Sequence, residues 1–155
     1  MGLKLCVLAS GSSGNGTYVT SGNTRILIDA GLSAKEVGRR LELIGVAMPD
    51  IKAVCLTHEH DDHTSGLGVL HKRFGTALYA NAGTIQAVEQ NDKLKGVPWI
   101  VFTTGSAFTI GDLRLEPFSV PHDSYDPVGF AVSGAEDRVG IVTDMGMATS
   151  LIRER

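Results

Sequence analysis

The sequence predicts an α/β (α+β) domain, a mixed sheet covered by helices. Apolar strand-like runs alternate with stretches at helical spacing through the first ninety or so residues, and hairpin signals stand at both ends. At 155 residues, 43% hydrophobic and 20% charged, the chain suits a single domain with a sizeable core, and its composition does not suit disorder.

Residues 3–9 read as a buried strand, followed by the turn-rich Ser10-Gly11-Ser12-Ser13-Gly14-Asn15. Residues 18–20 and 25–29 read as two strands joined through Ser21-Gly22-Asn23. The first helix is the best-marked element. Ser33 and Glu36 form a capping box, Ala34, Val37, Leu41 and Ile44 recur at helical spacing, and Gly45 stops it. A short strand at 53–56 delivers the chain to His58. Leu67, Leu70 and Phe74 then make a second helical stripe ended by Gly75. Next come a strand at 77–80, a short helix at 84–90, and strands at 99–102, 107–110, 113–120, 128–132 and 139–143. Residues 147–155 read as a helix just beginning; with no cap at its charged end, the chain is expected to continue past Arg155.

The formal charge of −3 offers nucleic acid no global attraction, but it leaves room for a local basic patch or for metal-mediated phosphate binding. Cys6 and Cys55 lie in apolar runs without a C-x-x-C pair, which predicts reduced, buried thiols. No apolar run approaches the ~18 residues of a membrane span. The first residues enter a strand without a signal peptide's apolar stretch, so a cytoplasmic location away from membranes is expected.

The chemistry concentrates in His58-Glu59-His60-Asp61-Asp62-His63, directly after an apolar strand. Imidazole and carboxylate suit zinc and related divalent ions. His58 and His60, two apart on an extended backbone, point the same way. Asp62 and His63 cannot both join them on that strand, but a turn would aim them at a neighbouring ion. Two ions ~3.5–4 Å apart would share a bridging hydroxide.

The pattern His-x-His-x-Asp-His after a strand resembles the signature of the metallo-β-lactamase superfamily, whose fold is an αββα sandwich of two sheets between helical layers. That resemblance implies several further roles. Asp29 matches an early acidic position that supports the site. His122 in Pro121-His122-Asp123 matches the third histidine of the first metal site, and Asp144 the carboxylate bridging both ions. It assigns His58, His60 and His122 to one ion and Asp62 and His63 to the other, with Asp144 between. His71 matches no ligand and reads as a packing or surface residue. The family completes the second site with a further histidine nearer the C-terminus, and none follows His122 here. The sandwich is therefore expected to be incomplete at its C-terminal end, with residues 1–155 forming a truncated hydrolase domain.

An aspartate at the bridging position, where true metallo-β-lactamases carry cysteine, argues against antibiotic hydrolysis. Thioester hydrolases and phosphodiesterases both use aspartate there. The segments Val7-Leu8-Ala9-Ser10-Gly11-Ser12-Ser13-Gly14-Asn15, Ile28-Asp29-Ala30-Gly31-Leu32-Ser33, Thr57-His58-Glu59-His60, Tyr79-Ala80-Asn81 and Pro127-Val128-Gly129-Phe130 are similar to the bacterial WalJ/YycJ-type subfamily. That subfamily is exonuclease-like, so the resemblance implies phosphodiester hydrolysis at DNA ends with two divalent ions, zinc first and manganese second. The expected mechanism is in-line attack by a metal-bound hydroxide, with Asp62 as catalytic residue orienting or deprotonating the water.

Ser10, Ser12, Ser13 and Asn15 are candidate substrate-binding residues. Small residues let backbone N–H groups approach an anion, and the hydroxyls add donors. Arg39, Arg40, Lys72 and Arg73 suit a DNA-facing surface, or simply the solvated faces of amphipathic helices. The alternatives are a hydrolase of small thioesters or cyclic phosphodiesters and an inactive metal-binding fragment.

Overall fold

The computed structural model describes residues 2–11, 13–91, 94–121, 126–142 and 150–154. Strands β1 (Lys4–Ala9), β2 (Gly16–Ser21), β3 (Thr24–Ile28), β4 (Ala53–Cys55), β5 (Ala77–Ala80) and β6 (Ile100–Val101) form a six-stranded sheet in that order. The first three strands pair antiparallel, and β3 through β6 pair parallel. Strands β7 (Phe108–Ile110), β8 (Leu113–Ser119), β9 (Val128–Ser133), β10 (Arg138–Val142) and β11 (Ser150–Glu154) form an antiparallel second sheet in the order β11-β10-β9-β8-β7.

Period-two alternation explains how one sheet serves two cores. Along β3, Leu27 faces the helices, whereas Ile26 and Ile28 face the second sheet. Along β4, Val54 takes the first side and Ala53 and Cys55 the second. With both faces covered, these strands read as nearly unbroken apolar runs. Helices α1 (Ala34–Leu43), α3 (Leu67–Phe74) and α4 (Ala82–Val88) bury Val37, Leu41, Leu67, Leu70 and Val88 in the helix-side core. The inter-sheet core holds Phe130, Leu113, Leu115, Val132 and Ile141, and Phe102 stacks on Phe108. Among the described residues the layers are therefore helix, sheet, sheet: three of the four in the expected sandwich.

Every predicted strand and helix up to residue 142 is present, with bounds within two residues of those expected. Ser33 accepts from the Glu36 amide at 3.2 Å, and Gly75 ends α3 in the left-handed conformation. His71, read as a packing or surface residue, is half-buried; its Nδ1 lies 3.1 Å from the Thr76 carbonyl and its own carbonyl accepts from Gly75 N–H at the end of α3.

One expectation is corrected. Residues 150–154 are not the start of a helix but strand β11, paired antiparallel with β10 from Val142↔Ser150 to Arg138↔Glu154. The exposed edge of β10 offers a row of backbone donors and acceptors, and pairing with it outweighs a weak helical pattern. Residues 147–149 lie outside the described residues.

Candidate metal centre

Parallel pairing sets the site. Because Ile28 lies opposite Cys55, β3 and β4 end at the same sheet edge, with Asp29 beside Thr57. Two further contacts bring in other parts of the fold. The Val128 amide donates to the Thr57 carbonyl at 3.0 Å, which ties the start of β9 to this edge, and the Ala30 amide donates to the His63 carbonyl at 2.9 Å.

After Cys55 the chain bends at Thr57, is extended at His60 and then turns through the short helix α2 (Asp61–Thr64). That turn brings one ligand atom each of His58, Asp62 and His63 within 4.8 Å of one another. The His58 and His63 rings lie 3.8 Å apart between centroids, and the His58 and His60 rings 4.8 Å apart edge to face. The converging trio thus draws from both expected ligand sets, and His60 stands beside it. His122 and Asp144 lie outside the described residues, as does Ser12.

Asp29 is fully buried and is the sole non-glycine residue with positive φ, +66°, among the described residues. Aspartate tolerates this conformation better than most residues. Its Oδ1 accepts from the Thr57 amide at 2.8 Å. Its Oδ2 accepts from the Thr57 hydroxyl at 2.7 Å and lies 2.5 Å from His63 Nδ1. With Nδ1 on the carboxylate, His63 has Nε2 to offer an ion, and that atom lies 3.6 Å from Asp62 Oδ2. The early acidic position therefore has a definite task here: Asp29 orients His63.

Asn15 grips Asp62. Its backbone amide donates to the Asp62 carbonyl at 2.7 Å, and its side-chain amide donates to Asp62 Oδ2 at 3.1 Å and to the Gly11 carbonyl at 2.9 Å. Asn15 is buried, whereas Ser10 and Ser13 are exposed. The loop's composition signalled donors; only the fold shows that the asparagine is turned inward. Gly31 completes the clamp. A Cβ there would stand 1.7 Å from the Asp62 carbonyl oxygen, so only glycine permits the approach.

Sequence reading places Thr57 only in the subfamily-like run Thr57-His58-Glu59-His60 and gives it no role. Thr57 is buried beneath the trio, with its hydroxyl 2.9 Å from His58 Nδ1. Its signals are that segment and its place directly before His58. Behind it, burial pushes the Cys55 thiol well above its ordinary range and the Asp29 charge adds to the shift, which keeps the thiol protonated at neutral pH.

The donor set fits a divalent ion. Two imidazoles and a carboxylate converge, each with a partner fixing its orientation, which suits zinc and its neighbours better than calcium or magnesium. Arg39 and Arg40 are committed elsewhere: both bond Glu36, and Arg40 also donates to the Leu8 carbonyl at 2.6 Å. Lys72 and Arg73 are exposed. No described helix is long and apolar enough to cross a membrane.

Comparison with known proteins agrees with this geometry. Residues 24–155 match the family described as the beta-lactamase superfamily domain. Exodeoxyribonuclease YycJ of Bacillus anthracis is 35% identical over 156 residues, 99% of this chain and 58% of that protein. Exodeoxyribonuclease WalJ of Streptococcus pneumoniae is 38% identical over 149 residues, 94% of this chain and 55% of that protein. The chain thus spans a little over half the length of these curated relatives. Among solved structures, the metallo-beta-lactamase fold protein YhfI of Bacillus subtilis superposes with a TM-score of 0.73 at 17% identity, over 90% of this chain and 62% of that one. The fold, the His58–His63 cluster at the sheet edge and the match over residues 24–155 together establish that this chain belongs to the beta-lactamase superfamily, in its metallo-β-lactamase fold.

Proposed function

We propose that residues 1–155 carry the metal centre of a binuclear metal-dependent hydrolase, a phosphodiesterase that digests DNA from its ends in the cytoplasm. The observation that carries this is the convergence of His58, Asp62 and His63, held from behind by Asp29 and Asn15. The names of the two exodeoxyribonuclease relatives support DNA as the substrate class. In this proposal His60, His122 and Asp144 complete the ligand set, and the ions are zinc, with manganese as the substitute. Divalent ions held there would acidify a water and offset charge on the phosphoryl oxygens.

The chain's own residues supply position and access. Asp62 keeps 22% of its side chain exposed, so it can both hold an ion and orient the attacking water. Ser10 and Ser13 are exposed and, with Ser12, which lies outside the described residues, are the proposed hydroxyl donors to a backbone phosphate. Asn15 acts through Asp62.

The test is digestion of a 5′-labelled DNA duplex by the zinc- or manganese-loaded protein and by His60→Ala. Progressive shortening from an end, abolished by the substitution, supports the proposal. Intact DNA together with cleavage of a thioester such as S-lactoylglutathione would replace it with the small-molecule hydrolase.

A further inference from the structure

We propose that Thr57 is a positioning residue that sets the tautomer of His58, so that His58 presents only Nε2 to a metal ion. The inference follows from counting protons on one hydroxyl. Thr57 Oγ1 lies 2.7 Å from Asp29 Oδ2, 2.9 Å from His58 Nδ1 and 3.4 Å from His63 Nδ1, which is itself directed at Asp29, and it has one proton to give. An ionised carboxylate only accepts, and Asp29 already receives the Thr57 amide on its other oxygen at 2.8 Å. The hydroxyl proton therefore goes to Asp29, and its lone pair faces His58. His58 Nδ1 must then be the protonated nitrogen, which leaves Nε2 as the coordinating atom.

Asp29 thus orients both histidines of the trio, His63 directly and His58 through Thr57. All four residues are buried, so water cannot readily stand in for a missing member of the chain. The shared carboxylate also explains why the left-handed backbone at Asp29 is kept: its two oxygens collect donors from both ends of the 57–63 segment. The inference rests on the metal-centre part of the proposed function and not on its substrate.

The test combines imidazole ¹⁵N NMR of the metal-free protein with zinc competition against a chromophoric chelator. The wild-type His58 ring should carry its proton on Nδ1. Thr57→Val keeps the shape and removes the hydroxyl; it should weaken zinc binding about 10- to 100-fold, whereas Thr57→Ser should stay within about threefold of wild type. A wild-type His58 protonated on Nε2, or a Thr57→Val protein binding zinc within about threefold of wild type, would overturn the proposal. Should Thr57→Val fail to fold by circular dichroism, the tautomers of wild type and Thr57→Ser decide. A protein that binds no zinc overturns this inference and the metal centre together. One that shows the predicted tautomer and zinc pattern but digests no DNA supports Thr57's role while removing the nuclease.

Discussion

At one end of β3, the Asn23 amide and the Thr24 hydroxyl bond Asp112 from the β7–β8 turn, at 3.0 and 3.2 Å. Just past the other end, Asp29 gathers the Thr57 amide, the Thr57 hydroxyl and His63. Both clusters place one carboxylate across two segments distant in sequence, yet their surroundings differ. Asp112 is exposed, and water competes for every bond it makes, so it serves as a clasp between the turns of the two sheets. Asp29 is fully buried, where an ionised carboxylate persists only if its lone pairs are filled. The same side chain is a modest staple at one end of a strand and the organising centre of the candidate metal site at the other.

Substitutions should separate the two ends by size of effect. The largest is expected at Gly31, whose added methyl in Gly31→Ala meets the Asp62 backbone rather than a flexible side chain. Urea denaturation should show a loss of about 3 kcal/mol, with zinc binding abolished. A Gly31→Ala protein of wild-type stability would mean that the 29–31 segment does not clamp the metal loop as described. Asp29→Asn comes next, since asparagine also tolerates positive φ and so keeps the backbone while removing the charge and one of the two acceptor oxygens. It should cost about 2–3 kcal/mol and weaken zinc binding about 10- to 100-fold.

Asp112→Ala sharpens the contrast. It should cost about 1 kcal/mol in the same denaturation assay and leave zinc affinity unchanged. If zinc binding fell as well, the two ends of β3 would be coupled and the comparison would fail. Glu36 is the smallest case. Hydrogen bonds from Arg39, then from Arg40, hold its carboxyl down at about 2, against an ordinary 4.5, on an exposed face of α1. A depressed carboxylate stabilises fully above its unfolded value and loses that contribution as pH falls through its folded one. Wild type should therefore melt slightly above Glu36→Gln near neutral pH, and the gap should close between about pH 4.5 and 2. Zinc binding should be indifferent to this change.

The candidate metal cluster was legible in the sequence because chemistry and spacing are local: His58, His60, Asp62 and His63 fall within six residues after a strand. The strands and helices up to residue 142 were legible for the same reason, since period and caps are written in neighbouring residues. What supports the site was not. Thr57 and Asp29 are 28 positions apart, and Asn15 and Asp62 are 47 apart. Their meeting depends on the parallel register of β3 and β4 and on close backbone approach at Gly31. Asn15 read as an anion-binding residue because a Ser/Gly/Asn loop advertises donors without saying where they aim. The segment after Met147 read as a helix because an available strand edge leaves no local mark.

The central claim is that His58, Asp62 and His63 hold a divalent ion at the sheet edge. Zinc content per chain after exposure to zinc and gel filtration, measured by mass spectrometry on wild type and on the double variant His58→Ala, His63→Ala, tests it most directly. At least one zinc ion per wild-type chain, with loss in a still-folded double variant, is the predicted result. A wild-type chain that emerges metal-free, or a double variant that keeps its zinc, would contradict it.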